Sequence, residues 1–294
     1  MANDGFGFQW HITWRCAGRC AHCYQLGAES QAELSIDELK RIADGIMGAV
    51  PGPVTVNVTG GEPLLYRGVF ELMSHLSRFD KLGELNIITS TNGMDERAVR
   101  GLCALPKLDY VKVSLESHDK LVNDGIRGPG HYEMALENIR RLAGAGLRVI
   151  IMATLSKRNY ESVAGLCALA ESLGTHGAIF ERFVPLGRGA AEMRDSVLTL
   201  NEWREILGTI AGIAEVEAGE LSPYKAFWVN GATVSGAPCC LGPSSMALMP
   251  DGTVYPCRRF PVPAGKLPDD GMERILETLN GYSSTPQKCF GFGF

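Results

Sequence analysis

The sequence has no long hydrophobic run, no excess of positive charge and no signal-like start. Its longest apolar stretches, such as residues 149–153, have the length of a strand and fall well short of the roughly 20 residues that cross a membrane. Lys and Arg number 28 against 33 Asp and Glu, a net charge of −5, which argues against a nucleic-acid-binding protein. The N-terminus lacks the basic and apolar segments of a secretory signal. We therefore expect a cytoplasmic protein that has neither a membrane nor a nucleic acid as its partner.

Cysteine, by contrast, is abundant, with nine in 294 residues. Cys16, Cys20 and Cys23 lie in one short loop with the spacing C-x3-C-x2-C, after the apolar, strand-like residues 8–14. In a chain of this size, such clustering favours metal binding in a reducing compartment over disulfides. Three thiolates from one loop can hold three irons of a [4Fe–4S] cluster and leave the fourth iron open. A zinc site is the alternative, although such sites usually have a fourth Cys or His nearby.

This cysteine spacing resembles that of the radical S-adenosylmethionine (radical SAM) superfamily. The resemblance implies that SAM binds the open iron through its amino and carboxylate groups. It also implies that an electron from the cluster breaks a C–S bond of SAM, and that a 5′-deoxyadenosyl radical then removes a hydrogen atom from the substrate. The protein supplies binding, orientation and exclusion of competing reactions. An electron donor such as flavodoxin or ferredoxin would be a partner.

Strand-like and helix-like segments alternate after the cysteine loop. Five segments have the β-branched, Gly- or Pro-bounded pattern of strands, at residues 53–58, 85–89, 110–114, 148–155 and 178–183. Helical spacing of apolar residues lies between them and begins with the capping box Ser35-Ile-Asp-Glu38. This alternation predicts an α/β fold of right-handed βαβ units with a parallel sheet. With the first strand, the count is about six, which matches the partial (β/α)6 TIM-like barrel of the resembled superfamily.

Candidate SAM-binding residues follow the strands, because sites in such barrels lie at the C-terminal ends of the strands. Gly60, Gly61, Glu62 and Pro63 resemble the superfamily's second signature, in which the backbone and the Glu bind the SAM amino group. Paired glycines permit close approach of a backbone, and a carboxylate is a charge-assisted acceptor for an ammonium. An ordinary turn is the alternative interpretation of these four residues.

Further candidates follow the next strands. Asn92, in a Thr-Asn-Gly sequence, resembles a segment that faces the cofactor, although a plain Asn-Gly turn has the same sequence. Ser114 and Glu116 resemble the site for the SAM ribose and carboxylate, and strand alternation places them on one side. Arg127 is where related enzymes place an arginine on the SAM carboxylate, a planar acceptor suited to the guanidinium. Thr154 is a further SAM-binding candidate, with capping of the strand end as its alternative.

The composition changes at about residue 221, after which Pro, Gly, Ser and aromatic residues become frequent. We therefore expect a radical SAM barrel over residues 1–220 and a small second domain, a β-hairpin with a helix, over residues 221–294. In the second domain, Pro-Asp-Gly at residues 250–252 separates two apolar runs. This sequence predicts a hairpin turn, which would bring Cys257 back beside Cys239 or Cys240.

The cysteines of the second domain resemble the pattern of SPASM and twitch domains, which carry auxiliary iron–sulfur clusters. Gly252 lies at the family's spacing from Cys239 on one side and from Cys257 on the other. The resemblance implies one auxiliary cluster, of the [4Fe–4S] type, on Cys239, Cys257 and Cys289. The fourth ligand would be Cys240, a substrate atom or a group outside this chain. A zinc-binding hairpin is the alternative.

Together these resemblances imply an oxidoreductase of the maturase type, which modifies a peptide or protein side chain by oxidation, thioether formation or carbon–carbon linkage. Only fifteen residues precede Cys16, which leaves no room for the N-terminal peptide-recognition domain of many such maturases. A small-molecule dehydrogenase, or an enzyme that processes a tetrapyrrole side chain, is therefore the second interpretation. A non-catalytic iron–sulfur electron carrier is the third, although a carrier needs no SAM pocket such as residues 60–63 and Arg127 imply.

Because the three loop thiolates act as one ligand set, Cys16→Ala, Cys20→Ala and Cys23→Ala are each expected to abolish 5′-deoxyadenosine formation from SAM. Each variant should stay folded by circular dichroism and contain less iron. Cys103→Ala is the matched control, because Cys103 lies in an apolar helical pattern where a free cysteine acts as a small hydrophobe. Normal 5′-deoxyadenosine formation by any of the three loop variants would contradict the assignment.

Overall fold

The computed structural model describes residues 5–25, 32–239, 241–242 and 244–282. The strands, in chain order, are β1 Phe6–His11, β2 Val54–Thr59, β3 Leu82–Thr89, β4 Leu108–Ser114, β5 Val149–Leu155, β6 Ala178–Arg182, β7 Ala226–Asn230, β8 Thr233–Ala237, β9 Ser245–Leu248, β10 Thr253–Tyr255 and β11 Gly265–Lys266. The helices are α1 Ile36–Ala49, α2 Val69–Leu76, α3 Glu96–Cys103, α4 Lys120–Arg127, α5 His131–Gly144, α6 Val163–Ser172, α7 Gly187–Glu192, α8 Leu200–Ala214, α9 Ala218–Leu221 and α10 Met272–Asn280. Strands and helices alternate from β1 to β6, as the sequence predicts.

The chain forms two compact units. Of the described residues, unit 1 contains residues 5–17, 32–110, 241–242 and 244–282, whereas unit 2 contains residues 18–25 and 111–239. The boundary therefore falls within the cysteine loop and within β4. The sequence predicts a different boundary, near residue 220, between a barrel and an auxiliary domain. The two compact units do not test that boundary, which stays a prediction.

Unit 1 contains a sheet with the strand order β11-β10-β9-β1-β2-β3. β1 pairs in parallel with β2 and with β9, and β2 pairs in parallel with β3. On β1 the alternate residues Phe6, Phe8 and Trp10 are buried, and neighbouring rings lie 6.2 and 5.7 Å apart. The hairpin that the sequence predicts at residues 250–252 is present as the antiparallel pair β9 and β10. It joins the sheet of unit 1 through β1.

Unit 2 contains the strand order β4-β5-β6-β7-β8. β4, β5 and β6 are parallel, whereas β7 and β8 form an antiparallel hairpin that continues the sheet beyond β6. Most of β5 is buried, which is typical of a parallel strand covered on both faces.

The predicted α/β fold with six parallel strands is confirmed, because each unit contributes three of them. Among the strands that the structure describes, those of neither unit close into a barrel. The capping box at the start of α1 is also confirmed, with Ser35 and Glu38 each bonded to the other's backbone. Among the described residues, no helix has the length and apolar character needed to traverse a bilayer.

Gly45 gives a direct test of helix propensity in α1. It is exposed within this helix, and a Cβ at this position would meet no atom within 4 Å. Gly45→Ala should therefore raise the free energy of unfolding by about 1 kcal/mol, the cost of glycine inside a helix. Urea denaturation followed by circular dichroism measures this change, and an unchanged or lower midpoint would contradict the prediction.

Candidate functional site

The backbone that enters the cysteine loop in unit 1 is held by Glu33, a residue that the sequence analysis missed. Thr13 Oγ1 and the Trp14 N–H donate to Glu33 Oε1 at 2.7 and 2.8 Å, and Arg15 donates to Oε2 at 2.9 Å. Partial burial favours the neutral acid, but these donors hold the pKa of Glu33 below its usual value. The charged carboxylate therefore fixes the three residues directly before Cys16. No local pattern in the sequence distinguishes Glu33 from other acidic residues that precede a helix.

Gly60 and Gly61 allow the loop after β2 to lie against this backbone. The Gly61 N–H donates to the Thr13 carbonyl, and the Glu62 N–H donates to the Arg15 carbonyl, each at 2.7 Å. A Cβ on Gly61 would lie 2.3 Å from the Arg15 carbonyl oxygen, which is too close for any side chain. In unit 1 the paired glycines thus lie close to the chain that leads into Cys16, and their predicted approach to SAM stays a prediction.

The Glu62 carboxylate is buried and accepts hydrogen bonds from the end of β3. Thr89 Oγ1 donates to Oε1 at 2.6 Å, and the Ser90 N–H and Oγ donate to Oε2 at 2.8 and 2.6 Å. The Leu64 N–H also donates to Oε1, because Glu62 caps the short 3-10 helix Pro63–Leu65. Burial nevertheless raises the pKa of Glu62 above its usual value. Glu62 thus joins the β2 and β3 loops, and its predicted contact with the SAM amino group stays a prediction.

The turn after β3 is strained at Thr91. Its φ is 64°, a left-handed conformation that is rare for a β-branched residue. Thr91 is also buried, and its Oγ1 has no hydrogen-bond partner among the described residues. The neighbouring Asn92 donates from Nδ2 to Ser90 Oγ at 2.9 Å. Strain of this kind persists where the surrounding structure fixes it, often at binding sites, which favours a functional role over a plain Asn-Gly turn.

A buried chain of contacts in unit 2 links Cys20, Arg127 and Glu116. Arg127 Nε donates to Glu116 Oε1 at 2.8 Å, and its Nη2 contacts the same oxygen. Arg127 Nη1 lies 3.7 Å from Cys20 Sγ. Burial favours the neutral carboxylic acid, but the Arg127 guanidinium holds the pKa of Glu116 below its usual value. Burial likewise opposes the charge on Arg127, but Glu116 and Cys20 raise its pKa. Both partners of the pair are therefore charged.

His22 and Thr154 complete the surroundings of the Glu116 carboxylate. The Thr154 N–H donates to Oε2 at 2.7 Å, and His22 Nε2 lies 3.6 Å from Oε1. Burial lowers the pKa of His22 to about 4, although Glu116 opposes this shift. Thr154 lies within β5 and contacts the carboxylate through its backbone N–H. Ser114, the last residue of β4, is buried.

Two buried asparagines position the Glu116 backbone, and the sequence analysis missed both. Asn123 Oδ1 accepts from the Glu116 N–H at 3.0 Å. Asn159 Nδ2 donates to the Glu116 carbonyl at 2.8 Å and to the Thr154 carbonyl at 3.1 Å. One sequence signal was available, because Asn123 lies three residues before the buried Ile126 on the amphipathic helix α4. A polar residue on an apolar helical face indicates a specific buried partner.

The backbone around Cys23 contacts the segment that follows β6. The Cys23 carbonyl accepts from the Gly189 N–H at 2.9 Å. A Cβ on Gly187 would lie 2.2 Å from the Tyr24 carbonyl oxygen, so this glycine too allows close approach. The Gln25 N–H donates to Cys23 Sγ at 3.4 Å. Burial raises the pKa of the Cys23 thiol, so binding a metal there would release a proton.

The three loop cysteines are divided between the units. Cys16 lies in unit 1, whereas Cys20 and Cys23 lie in unit 2, where a hydrogen bond from the Cys23 N–H to the Cys20 carbonyl closes a tight turn. In the part of the chain that the structure describes, no three His, Cys, Asp or Glu side chains are arranged to hold a metal ion. The two thiols of unit 2, beside a buried guanidinium, have the donor chemistry that an iron–sulfur cluster needs. The full three-cysteine ligand set stays a prediction.

The auxiliary cysteines are described only in part. Cys239 is exposed in unit 2, and Cys257 is half-buried in unit 1. The Arg259 N–H donates to Cys257 Sγ at 3.4 Å, as the Gln25 N–H does to Cys23 Sγ. Cys240 and Cys289 lie outside the described residues.

The close contact at Gly61 predicts the effect of a single methyl group. Gly61→Ala should displace the backbone before Cys16, so less iron should bind on reconstitution and SAM cleavage should fall by at least about tenfold, or about 1.4 kcal/mol. Iron analysis and 5′-deoxyadenosine quantification measure both effects. Gly45→Ala is the matched control and should retain full iron content and cleavage. Full iron and cleavage in Gly61→Ala would show that the contact is dispensable.

Two curated relatives have known activities. The chain is 31% identical over 194 residues to an AdoMet-dependent heme synthase of Methanosarcina barkeri, which covers 64% of this chain and 54% of the relative. It is 29% identical over 257 residues to the mycofactocin maturase MftC of Mycobacterium tuberculosis, which covers 84% of this chain and 63% of the relative. The chain thus spans little more than half to about three-fifths of these two relatives.

A solved structure shares the fold. The structure of anSMEcpe with bound AdoMet and a Cp18Cys peptide matches with a TM-score of 0.73 and 16% identity, over 94% of this chain and 81% of that one. The family model of the radical SAM superfamily matches residues 10–170, more than half of the chain. This match includes all three loop cysteines and every candidate SAM-binding residue. The chain therefore belongs to the radical SAM superfamily.

Proposed function

We propose that this protein is a SAM-cleaving enzyme that modifies a side chain of a peptide or protein. The observation that carries the proposal is the buried contact chain from Cys20 through Arg127 to Glu116. Burying a charged pair is costly, and a protein that only carries electrons needs thiolates but no such pair. Perturbed, buried charges of this kind concentrate at functional sites.

The residues proposed to hold the cofactors belong to both units. Cys16, Cys20 and Cys23 would hold the [4Fe–4S] cluster. The SAM-binding residues would be Gly60, Gly61, Glu62, Pro63, Asn92, Ser114, Glu116, Arg127 and Thr154. The orphaned Thr91 Oγ1, buried beside Asn92, supports a polar ligand at this turn. When bound, the cluster and SAM supply the radical that removes a hydrogen atom, and an external donor such as flavodoxin or ferredoxin supplies the electron, in a reducing compartment such as the cytoplasm.

The protein's own side chains have three tasks in this proposal. Arg127 keeps a positive charge beside the Cys20 sulfur, with Nη1 3.7 Å from Sγ, where it would offset part of the negative charge of a bound cluster. Asn123 and Asn159 fix the backbone of Glu116, so that its carboxylate holds one orientation. Glu62 fixes the loops after β2 and β3 relative to each other.

A peptide substrate is supported by the relatives. MftC is named as a maturase, and the anSMEcpe structure contains a peptide together with AdoMet. One auxiliary iron–sulfur cluster, of the [4Fe–4S] type, would be held by Cys239, Cys257 and Cys289, with Cys240 or a substrate atom as the fourth ligand. A backbone N–H donated to Cys257 Sγ is the kind of hydrogen bond that tunes cluster thiolates.

Tetrapyrrole or other small-molecule chemistry is the second candidate. It is favoured by the 31% identity to a heme synthase over 64% of this chain. The two candidates differ in substrate but share SAM cleavage, so a cleavage assay tests what they have in common. Product analysis with a peptide and with a porphyrin then separates them.

The decisive experiment measures 5′-deoxyadenosine after anaerobic reconstitution, with dithionite and SAM as the only additions. The reconstituted protein should form it, and Arg127→Leu should lose nearly all of this activity because the Glu116 charge is left buried without its partner. Arg100→Leu is the matched control, since Arg100 is exposed on α3. Absence of 5′-deoxyadenosine from the iron-loaded wild-type protein would overturn the proposal.

The auxiliary cluster has its own test. The triple variant Cys16→Ala, Cys20→Ala, Cys23→Ala should still bind about four irons on reconstitution, the content of one cluster. Cys257→Ala in the otherwise intact chain should lose that iron but retain some SAM cleavage. Zinc without iron in the triple variant would support the zinc hairpin instead. Iron that the triple variant retains, but that Cys257→Ala does not remove, would mean that the ligands are others.

A further inference from the structure

The outer edge of β8 in unit 2 is an open sheet edge. β7 and β8 form a hairpin whose turn is Gly231 and Ala232, and β8 pairs with β7 along its whole length. Within residues 5–25, 32–239, 241–242 and 244–282, no strand pairs with the other edge of β8. Gly231, with a φ of 54°, takes the first central position of this turn, where glycine is a hairpin signal that the sequence analysis did not use.

The register identifies the backbone groups that this edge presents. Asn230 and Thr233 close a two-residue turn, so they exchange hydrogen bonds as a close pair. Hydrogen-bonded pairs alternate along antiparallel strands, so Ser235 and Ala237 also face β7. The N–H and C=O groups of Val234 and Gly236 therefore point away from β7, along the open edge.

This edge lacks the usual protection against strand pairing. Natural edges carry charges, prolines or bulges that block a further strand. Residues 231–239 contain no Asp, Glu, Lys or Arg, and their only proline is Pro238, beyond the end of β8. Gly236 also makes room for an aromatic ring, because a Cβ there would lie 2.2 Å from the ring of Tyr224. That ring packs edge-on against Phe227 and stands beside the open backbone.

The strand register places the end of β8 at the same height in the sheet as the candidate site of unit 2. Ala237 pairs with Ala226, Ala226 with Glu181, and Glu181 with Thr154. Thr154 is the residue whose N–H binds Glu116. Neighbouring strands lie about 4.8 Å apart, so three steps separate Ala237 from Thr154 by about 14 Å. A peptide that pairs with β8 and extends beyond Ala237 would thus reach the same height in the sheet as this site.

We propose that the outer edge of β8 binds an extended segment of the peptide substrate by strand addition, an inference that rests on the proposed peptide-modifying function. Main-chain hydrogen bonds supply affinity in this mode, and side-chain contacts such as Tyr224 supply selectivity. Two outward-facing residues and a strand about 17 Å long suit a short peptide. They offer far less area than the roughly 1,200–2,000 Å² of a stable protein interface, which argues against a second copy of this chain.

The test selects peptides from an mRNA-displayed random library on the reconstituted, SAM-bound protein. Selected peptides should bind Val234→Pro at least about tenfold more weakly, because proline removes an outward N–H without removing a bond to β7. Val234→Thr, which keeps the N–H, is the matched control and should bind as the wild type does. Equal binding to Val234→Pro, or no enriched peptide at all, would overturn the inference.

A second measurement leaves the protein unchanged. Methylation of the peptide's backbone nitrogens, one residue at a time, should weaken binding at every second residue, because a paired strand directs alternate N–H groups at its partner. Weakening without this period of two would overturn the inference. So would a dimer that Val234→Pro dissociates, or peptide binding that requires removal of residues 283–294, because the occupant would then be a second copy or the chain's own C-terminus.

The SAM cleavage assay on the same preparation separates this inference from the proposed function. Normal 5′-deoxyadenosine formation without any edge-binding peptide would overturn the strand-addition inference alone. Edge binding with the period of two, in a preparation that forms no 5′-deoxyadenosine, would support the strand-addition inference and overturn the enzymatic proposal.

Discussion

The candidate site of unit 2 depends on the buried ion pair between Glu116 and Arg127. Each charge loses several kcal/mol of hydration on burial, and only good geometry with additional hydrogen bonds offsets that loss. Here the carboxylate also accepts from the Thr154 backbone, and the guanidinium also contacts Cys20. Removing one partner of such a pair typically costs roughly 3–5 kcal/mol, so the pair and its neighbours form one interdependent set.

Neutral groups surround this pair. Asn123 and Asn159 hold the backbone of Glu116, and a pKa of about 4 keeps His22 uncharged near neutral pH. Amides can donate and accept without adding charge, so they fix the geometry without competing for Arg127. Unit 1 follows a similar rule, since hydroxyls and backbone N–H groups surround the Glu62 carboxylate.

The sequence predicted the six parallel strands and the hairpin at residues 250–252, because β-branched runs, Gly and Pro act locally. It assigned the close approach at Gly60 and Gly61 to SAM, and it did not predict that Gly61 lies against the backbone of Thr13 and Arg15. It did not predict Glu33, Asn123 or Asn159 as site residues. Glu33 and Asn159 bind backbone groups far along the chain, which leaves no local periodicity, so their roles emerge only when the fold brings the partners together. Asn123 binds a backbone group seven residues away, and its place on the apolar face of α4 is the one sequence signal.

The parallel pairing of β1 with β9 has a consequence for the order of folding. These strands are far apart in the sequence, with Gly7 opposite Ser245, so the sheet of unit 1 stays incomplete until the ribosome has made residues 245–248. The described residues of unit 2 are 18–25 and the continuous stretch 111–239, all of which emerge before β9. Until β9 is made, β1 therefore has an unpaired edge. The nascent chain is most prone to aggregate in that interval.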